Sequence, residues 1–343
     1  MNRANLSSFW TILAPLIVVA AGAATYGLIV LLRPLLVRLA LVQPNARSSH
    51  AVPTPQGGGF AVVVATAAIT MLAAGFAMAG AHGAGLAAVF GAAALLAVTG
   101  GVDDVRAIPP VPRLIVQVLA VALVVAAVPA ELRVVPDLPW WIERALVVLA
   151  GVWFLNVVNF MDGVDWMSVA EIVPITAGLV VLGTLDALPM QATVVALALG
   201  GAMLGFAPFN RPVARLFLGD IGSLPIGLLV GWMLLLLAGG GHLAAALLLP
   251  LYYLADATIT LAQRWRRGEK LSQAHRSHFY QRATQRGLSV MQVVTRVFAV
   301  NVGLVGLAVA TVIVPGRIAA AAALVCGSAL VGWLLTVFTR GRR

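Results

Sequence analysis

The stretch RALVVLAGVWFLNVVNFMDGVDW, residues 144–166, decides how the chain is read. From Ala145 to Met161 it carries no charge, and then Asp162 and Asp165 arrive three residues apart. A helix needs about 20 apolar residues to cross the hydrocarbon layer of a bilayer. The run from Trp140 to Val158 suits a crossing, so the two carboxylates fall where the chain leaves the layer. Ionised groups at a membrane edge are expensive unless a cation, a metal or water satisfies them, which makes them candidates for function.

The same pattern recurs along the chain. Of 343 residues 61% are hydrophobic and only 10% charged, and the mean hydropathy is +1.01, against roughly 25% charged residues in a soluble domain. About eleven segments are candidate crossings, near 11–31, 58–80, 84–101, 112–129, 140–158, 168–184, 188–207, 223–239, 243–262, 291–314 and 318–338. The expected fold is an all-α polytopic membrane helix bundle, one integral domain over residues 1–343, with its chemistry in the loops at one face.

Three simpler features narrow the classes. The first span resembles a secretory leader at AAGAATY, but its apolar run is long and only Arg3 precedes it, so it is expected to stay as a helix. The one cysteine, Cys326, lies in the last span, so no internal disulfide can form. No internal repeat of the kind that builds many transporters is visible.

Basic residues set the orientation. With the N-terminus outside, the loops after odd-numbered spans hold Arg33, Arg38, Arg47, Arg106, Arg113, Arg211, Arg215, Arg264, Arg266, Arg267, Lys270, Arg276, Arg282 and Arg286, and the tail adds Arg340, Arg342 and Arg343. The opposite loops offer little beyond Arg133 and Arg317. The positive-inside rule places the first set in the cytoplasm. That rule, with anionic lipid at the same surface, accounts for most of the +10 net charge. Nothing supports nucleic-acid binding.

Five acidic residues then share the cytoplasmic side: Asp103 and Asp104 after span three, Asp162 and Asp165 after span five, Asp220 after span seven. Singly, Asp104 with Arg106 is an ordinary ion pair, Asp162 a turn former beside Gly163, and Asp220 an N-cap. Jointly, on one face and beside glycine-rich turns, they read as one site. Carboxylates among basic side chains suit a divalent cation that bridges phosphate oxygens, because Mg²⁺ takes a few carboxylates and leaves the rest of its shell to substrate phosphates. In FLGDIGSLPIG, residues 217–227, Asp220 stands between Gly219 and Gly222 just before a helix whose N-terminus favours an anion. In PTPQGGG, residues 53–59, three glycines permit close backbone approach, although glycines at a membrane helix end are commonly packing residues.

The longest cytoplasmic loop, RWRRGEKLSQAHRSHFYQRATQRG (264–287), places His275 and His278 at an i, i+3 spacing. No cysteine and no second pair completes a zinc site. With Arg276, Arg282 and Arg286 alongside, a diphosphate is the better ligand, the bland alternative being a basic membrane-surface loop.

PTPQGGG, GGVDDV, NVVNFMDGVDW, FLGDIGS and HRSHFYQR, in that order over residues 45–287, resemble the bacterial polyprenyl-phosphate N-acetylhexosamine-1-phosphate transferases of glycosyltransferase family 4. RSSHAVPTP and SHFYQR look most like the branch that initiates O-antigen synthesis. The resemblance implies a multi-pass enzyme of the bacterial inner membrane, its site facing the cytoplasm. Such an enzyme moves sugar 1-phosphate from a UDP-N-acetylhexosamine to undecaprenyl phosphate, releases UMP, and uses Mg²⁺ or Mn²⁺. Carried over by motif, Asp103 and Asp104 are the family's acidic pair, with Asp103 the contact or base for the lipid phosphate. Asp220 is the metal ligand, with Asn159 sharing the metal, and Asp162 is a catalytic carboxylate. Phe217 and Asp165 hold the uracil ring; Asn156 and Asn159 lie on the substrate side; His275, Arg276, His278 and Arg282 lie near the diphosphate and sugar. Gln56 departs from the basic residue usual before the glycines, and Arg106 stands near where some branches carry lysine.

Two other classes compete. A proton-coupled transporter or lipid flippase would use carboxylates deep in the bundle, and only Asp256 and Glu171 fit that place. A phosphatidyltransferase would need a dense run of aspartates on adjacent helices, which the sequence lacks. The sugar and the oligomeric state, a homodimer included, stay open.

Overall fold

A computed structural model describes residues 9–42, 53–77, 83–270 and 275–341. Arg3, residues 47–52 of RSSHAVPTP, Arg342 and Arg343 lie outside the described residues. The chain is a helix bundle: α1 Ala14–Leu39, α2 Gly58–Ala77, α3 Gly83–Val105, α4 Pro110–Ala127, α5 Trp140–Met161, α6 Met167–Thr184, α7 Met190–Asn210, α8 Asp220–Leu237, α9 Leu243–Leu248, α10 Leu251–Arg266, α11 Phe279–Gln285, α12 Val290–Ile313 and α13 Arg317–Arg340. Between α1 and α2, the two-residue strands β1 Leu41–Val42 and β2 Thr54–Pro55 pair antiparallel. The all-α polytopic expectation holds.

Among the described residues, nine helices are long and apolar enough to cross a membrane, against about eleven expected. The differences lie at two of the expected spans. The apolar part of α2 covers only Gly58–Ala74. The segment expected at 243–262 is broken: residues 220–248 run on as one helical stretch through a π-helical turn at Ala238–His242, where Gly241 takes φ 90°. Pro250 then ends α9, and α10 follows with 16 residues, among them Asp256, Arg264 and Arg266. Proline removes a backbone donor and clashes with the preceding turn, so it stops a helix that composition alone would continue.

α8 forms the centre, packed against α2, α3 and α5. Of its most apolar window 83% is buried, against 28% for α12 and α13, whose outer faces leave Ile313 and Ile318 exposed. A helix that is apolar all round belongs in the interior of a bundle or against lipid. Two glycines let backbones meet at its start. A Cβ on Gly59 would lie 2.2 Å from the Gly222 Cα, and one on Gly100 would lie 2.3 Å from the Asp220 carbonyl oxygen. Small residues at such crossings allow close packing where no hydrophobic force between helices operates. Here they bring the end of α3 and the start of α2 onto the first turn of α8.

Candidate active site

The end of α3, the end of α5 and the start of α8 converge, and their side chains bond to one another. The Asp104 carboxylate accepts from the backbone N–H groups of Asp220 (2.9 Å) and Ile221 (3.1 Å). It therefore caps α8 from a different helix, taking up donors that its N-cap residue, Gly219, leaves without a side-chain partner. Gly219 adopts φ 78°, and a Cβ there would strike the Asp104 carboxylate at 2.5 Å, so the turn requires glycine. On the other side Gln56 Nε2 donates to the Asp104 carbonyl at 2.8 Å. The departure at Gln56 thus binds PTPQGGG to the acidic pair.

Asp103 has both oxygens engaged: Oδ1 accepts from Ile108 N (2.6 Å) and Oδ2 from Arg113 Nη1 (2.7 Å). The same Arg113 nitrogen lies 3.3 Å from Asp220 Oδ2, while Asp220 Oδ1 accepts from Asn159 Nδ2 at 2.7 Å. Asn159 also donates to Ser223 Oγ at 2.9 Å. The Asp103 side chain is 11% exposed and that of Asp220 26%. An Oδ of Asp162 accepts from Ser168 Oγ at 2.6 Å. Burial pushes the Asp162 carboxyl up to about 6; the Ser168 hydroxyl pulls it down, and the charges of Asp220 and Asp165 add to the rise.

The remaining expected residues spread outward. Asp165 turns away from Asp162 and accepts from Ala214 N at 2.9 Å, which ties it to the loop before α8. Trp166, at φ 61°, donates its N–H to Asn210 Oδ1 at 2.8 Å at the end of α7. Phe217 donates its backbone N–H to Pro55 O (2.9 Å) and accepts from Gly58 N (2.9 Å), so its segment lies alongside PTPQGGG. Asn156 sits a turn deeper on α5, bonded to Gln117 Oε1 at 2.8 Å.

The histidine segment is docked against this cluster. Tyr280 donates to the Phe160 carbonyl at 3.2 Å, and a Cβ on Gly163 would collide with its hydroxyl, so NFMDG accommodates Tyr280 through its glycine. His275 and His278 stack with centroids 4.9 Å apart. His278 is 2% exposed and its Nδ1 lies 3.1 Å from Asp256 Oδ1. Burial, then the neighbouring His278 and Arg264, push the His275 ring down to about 4. It is neutral at pH 7 and offers a phosphate a hydrogen bond, not a charge. Arg282 lies over the Phe279 ring at 5.5 Å. Arg276 is half-buried, its carbonyl accepting from Gln285 Nε2.

Two residues were missed in the sequence as site members. Arg113 was counted only as a loop cation, yet it joins two carboxylates from separate helices. Asp256 was placed in the bundle interior, and it is fully buried on α10. Its carboxylate accepts from Phe279 N (3.0 Å), Tyr280 N (3.3 Å), Tyr252 Oη (3.2 Å) and Thr260 Oγ1 (3.3 Å) besides facing His278. An aspartate alone in an apolar segment upstream of two histidines was the available signal. Asp256→Ala strands several buried donors at about 1–3 kcal/mol each. It is expected to lower stability by about 3 kcal/mol, read as a fall in the thermal unfolding midpoint in detergent.

Residues 86–238 match the model of glycosyl transferase family 4, a span that contains Asp103, Asp104, Asn159, Asp162, Asp165, Phe217 and Asp220. Among curated relatives, the decaprenyl-phosphate N-acetylglucosaminephosphotransferase of Mycolicibacterium smegmatis is 29% identical over 239 residues, 63% of this chain and 58% of its own length. The protein of that name from Mycobacterium leprae is 28% identical over 214 residues, 56% and 52% of the two chains. A phospho-N-acetylmuramoyl-pentapeptide-transferase of Chlamydia trachomatis is 34% identical over 97 residues, 27% and 29%. The chain thus spans little more than half the length of the first two relatives.

Among the described residues, no group of three or more His, Cys, Asp or Glu side chains is arranged to hold a metal ion. A hard cation that draws most of its shell from substrate oxygens fits this set, because Asp103, Asp104, Asp162 and Asp220 are bonded or close neighbours and Arg113 is bonded into them.

Proposed function

We propose that the chain is a membrane transferase that moves a sugar 1-phosphate from a UDP-N-acetylhexosamine to undecaprenyl phosphate, giving undecaprenyl-diphosphate sugar and UMP. The observation that carries this reading is the bonding of three separate helix ends into one acidic, arginine-braced cluster at the start of α8. Its site faces the cytoplasm of a bacterial inner membrane, following the basic loops, and its product opens synthesis of O-antigen or another cell-surface glycan. The names of the relatives and the family match support the reaction class.

In the reaction an oxygen of the lipid phosphate attacks the β-phosphorus of the UDP-sugar. A P–O bond forms there, the bond from that phosphorus to the bridging oxygen breaks, and UMP leaves with the electron pair. A lipid phosphate already carries negative charge at neutral pH, so it needs no strong base. Asp103, with both oxygens accepting hydrogen bonds, serves by holding Ile108 and Arg113 in place. Arg113 is placed to balance charge on the diphosphate. Asp220 with Asn159 would hold Mg²⁺, which supplies charge neutralisation at the departing phosphate. The half-buried His275, Arg276 and Arg282 of the histidine segment would meet the sugar diphosphate.

An apolar cavity of about 270 Å³ supports the lipid half of the reading. Its walls include Val121 and Val125 of α4, Gly151 and Phe154 of α5, and Gly227 and Gly231 of α8. Phe154 is five residues before Asn159 and Gly227 seven after Asp220, about 8–10 Å deeper along the same helices at 1.5 Å per residue. A chain bound there puts its phosphate at the carboxylates.

Purified protein with Mg²⁺, undecaprenyl phosphate and a panel of labelled UDP-N-acetylhexosamines, 6-deoxy forms included, is expected to give labelled lipid diphosphate sugar and stoichiometric UMP. EDTA is expected to stop turnover and added Mg²⁺ to restore it. Sugar or lipid movement across vesicles with no covalent product would establish the transporter class instead.

A further inference from the structure

Two adjacent charged residues, Glu143 and Arg144, are buried at the start of α5, the end of that helix opposite the carboxylates. A buried charge is tolerated only with polar partners. Theirs come from the loop 128–139, which joins α4 to α5, and from the end of α4. Glu143 accepts from the backbone N–H groups of Val134 (2.5 Å) and Val135 (3.0 Å) and pairs with Arg133, which in turn donates to the Leu138 carbonyl. Arg144 donates to the carbonyls of Val125 (3.3 Å), Pro129 (2.7 Å) and Leu132 (3.2 Å). The loop is thereby a fixed wall, and it closes on the apolar cavity. Val134 lines that cavity. Leu132 packs on the π-helical turn after α8, where a Cβ on Gly239 would lie 2.4 Å from Leu132 Cγ. Exposed Trp140 and Trp141 beside the loop mark a membrane boundary, as interfacial aromatic belts do.

We propose that Val134 is a specificity-determining residue: fixed by Glu143 and Arg144, it ends the cavity and sets how many isoprene units of the lipid acceptor the protein encloses. The occupant is the acceptor's tail, because the cavity follows α5 and α8 away from the carboxylates and, among the described residues, no charged side chain lines it. Its walls on α8 run from Gly227 to Ala238, and from Asp220 to Ala238 the helix rises about 27 Å. Four chain bonds per isoprene unit cover about 4–5 Å, by the covalent geometry that gives 3.8 Å for three, so about six units fit before the tail meets Val134. Each unit up to that point gains apolar contact; the units beyond it turn out into lipid and gain none from the protein. In naming a lipid acceptor the proposal rests on the transferase reading.

The test reads binding without turnover. Native mass spectrometry of the full chain in detergent measures retention of polyprenyl monophosphates of graded length, from farnesyl to undecaprenyl phosphate. Each variant is divided by the wild type at every length, so that partition of free lipid into detergent cancels. Val134→Trp fills the end of the cavity and is expected to lower retention of undecaprenyl phosphate about ten-fold while holding farnesyl phosphate as the wild type does. Val135→Trp is the matched control: Val135 is exposed on the same loop and outside the cavity, and this variant is expected to track the wild type at every length. Transfer assays in parallel are expected to show KM for undecaprenyl phosphate up about ten-fold in Val134→Trp, with kcat within about two-fold. If Val134→Trp cannot be recovered folded, the wild type decides: a polyprenyl phosphate of about six units with a diazirine at its far end is expected to label the peptide that contains Val134. The proposal is overturned if Val134→Trp loses no retention or loses it equally at all lengths, if Val135→Trp loses as much, or if the label falls outside the loop 128–139. The expected retention and labelling without any covalent product from UDP-sugars would keep the Val134 wall and overturn the transferase reading alone.

Discussion

Asp220→Asn is expected to lower transfer turnover about a thousand-fold while leaving the unfolding midpoint unchanged or slightly higher. Two effects oppose each other here and act on different quantities. On the proposed reading, the variant loses the carboxylate that would hold a cation against the diphosphate. In the folded protein, however, Asp220 shares its pocket with Asp103, Asp104 and Asp162, with one bonded guanidinium to balance them, and removing one of several crowded charges relieves repulsion. Asn159 and Arg113 keep neutral or charged partners, Arg113 through its 2.7 Å bond to Asp103. Turnover per folded molecule, measured with the midpoint, distinguishes this from unfolding. A variant with near-normal turnover would remove Asp220 from the chemistry. Asp103→Asn is expected to cost less, because an amide oxygen still accepts from Arg113 or Ile108; if it kept near-normal turnover across pH, Asp103 would have no role as a base.

What could be read from the sequence, and what could not, follows the range of the interactions. Membrane crossings are written locally, in apolar length, and α5 to α7 fall within a few residues of their expected bounds. The acidic cluster was legible because aspartates are rare in such a chain and all lay at one end of the spans. Its internal bonding was not. That Asp104 caps α8 depends on Gly100 and Gly219 bringing two helices to contact, and sequence spacing carries no trace of which helix a carboxylate will cap. Asp165 illustrates the converse: three residues from Asp162, it accepts from Ala214 N in the loop before α8, a partner far off in sequence. The break before α10 was missed because composition continues through it and only Pro250 marks it. Arg113 gains its meaning from partners 10 and 107 residues away, and Asp256 from partners 22 to 24 away.

Gly100→Ala is expected to lower stability by about 2–3 kcal/mol and to remove most transfer activity. The added methyl would meet the Asp220 carbonyl oxygen at 2.3 Å, the Asp220 carbonyl carbon at 2.4 Å and the Ile221 nitrogen at 2.6 Å. These are backbone atoms at the start of a buried helix and cannot swing aside as a side chain tip would, so α3 and α8 must separate. Separation draws Asp104 away from the Asp220 and Ile221 N–H groups, leaving orphan donors and a displaced acidic pair in one step. Gly91, on the same helix, is the matched control. A Cβ there meets nothing within 4 Å, and alanine favours a helix interior over glycine by about 1 kcal/mol, so Gly91→Ala is expected to be neutral or stabilising and fully active. Thermal unfolding in detergent and transfer assays on both variants decide the matter. Equal behaviour of the two would mean that the α3–α8 contact neither builds the pocket nor holds the fold.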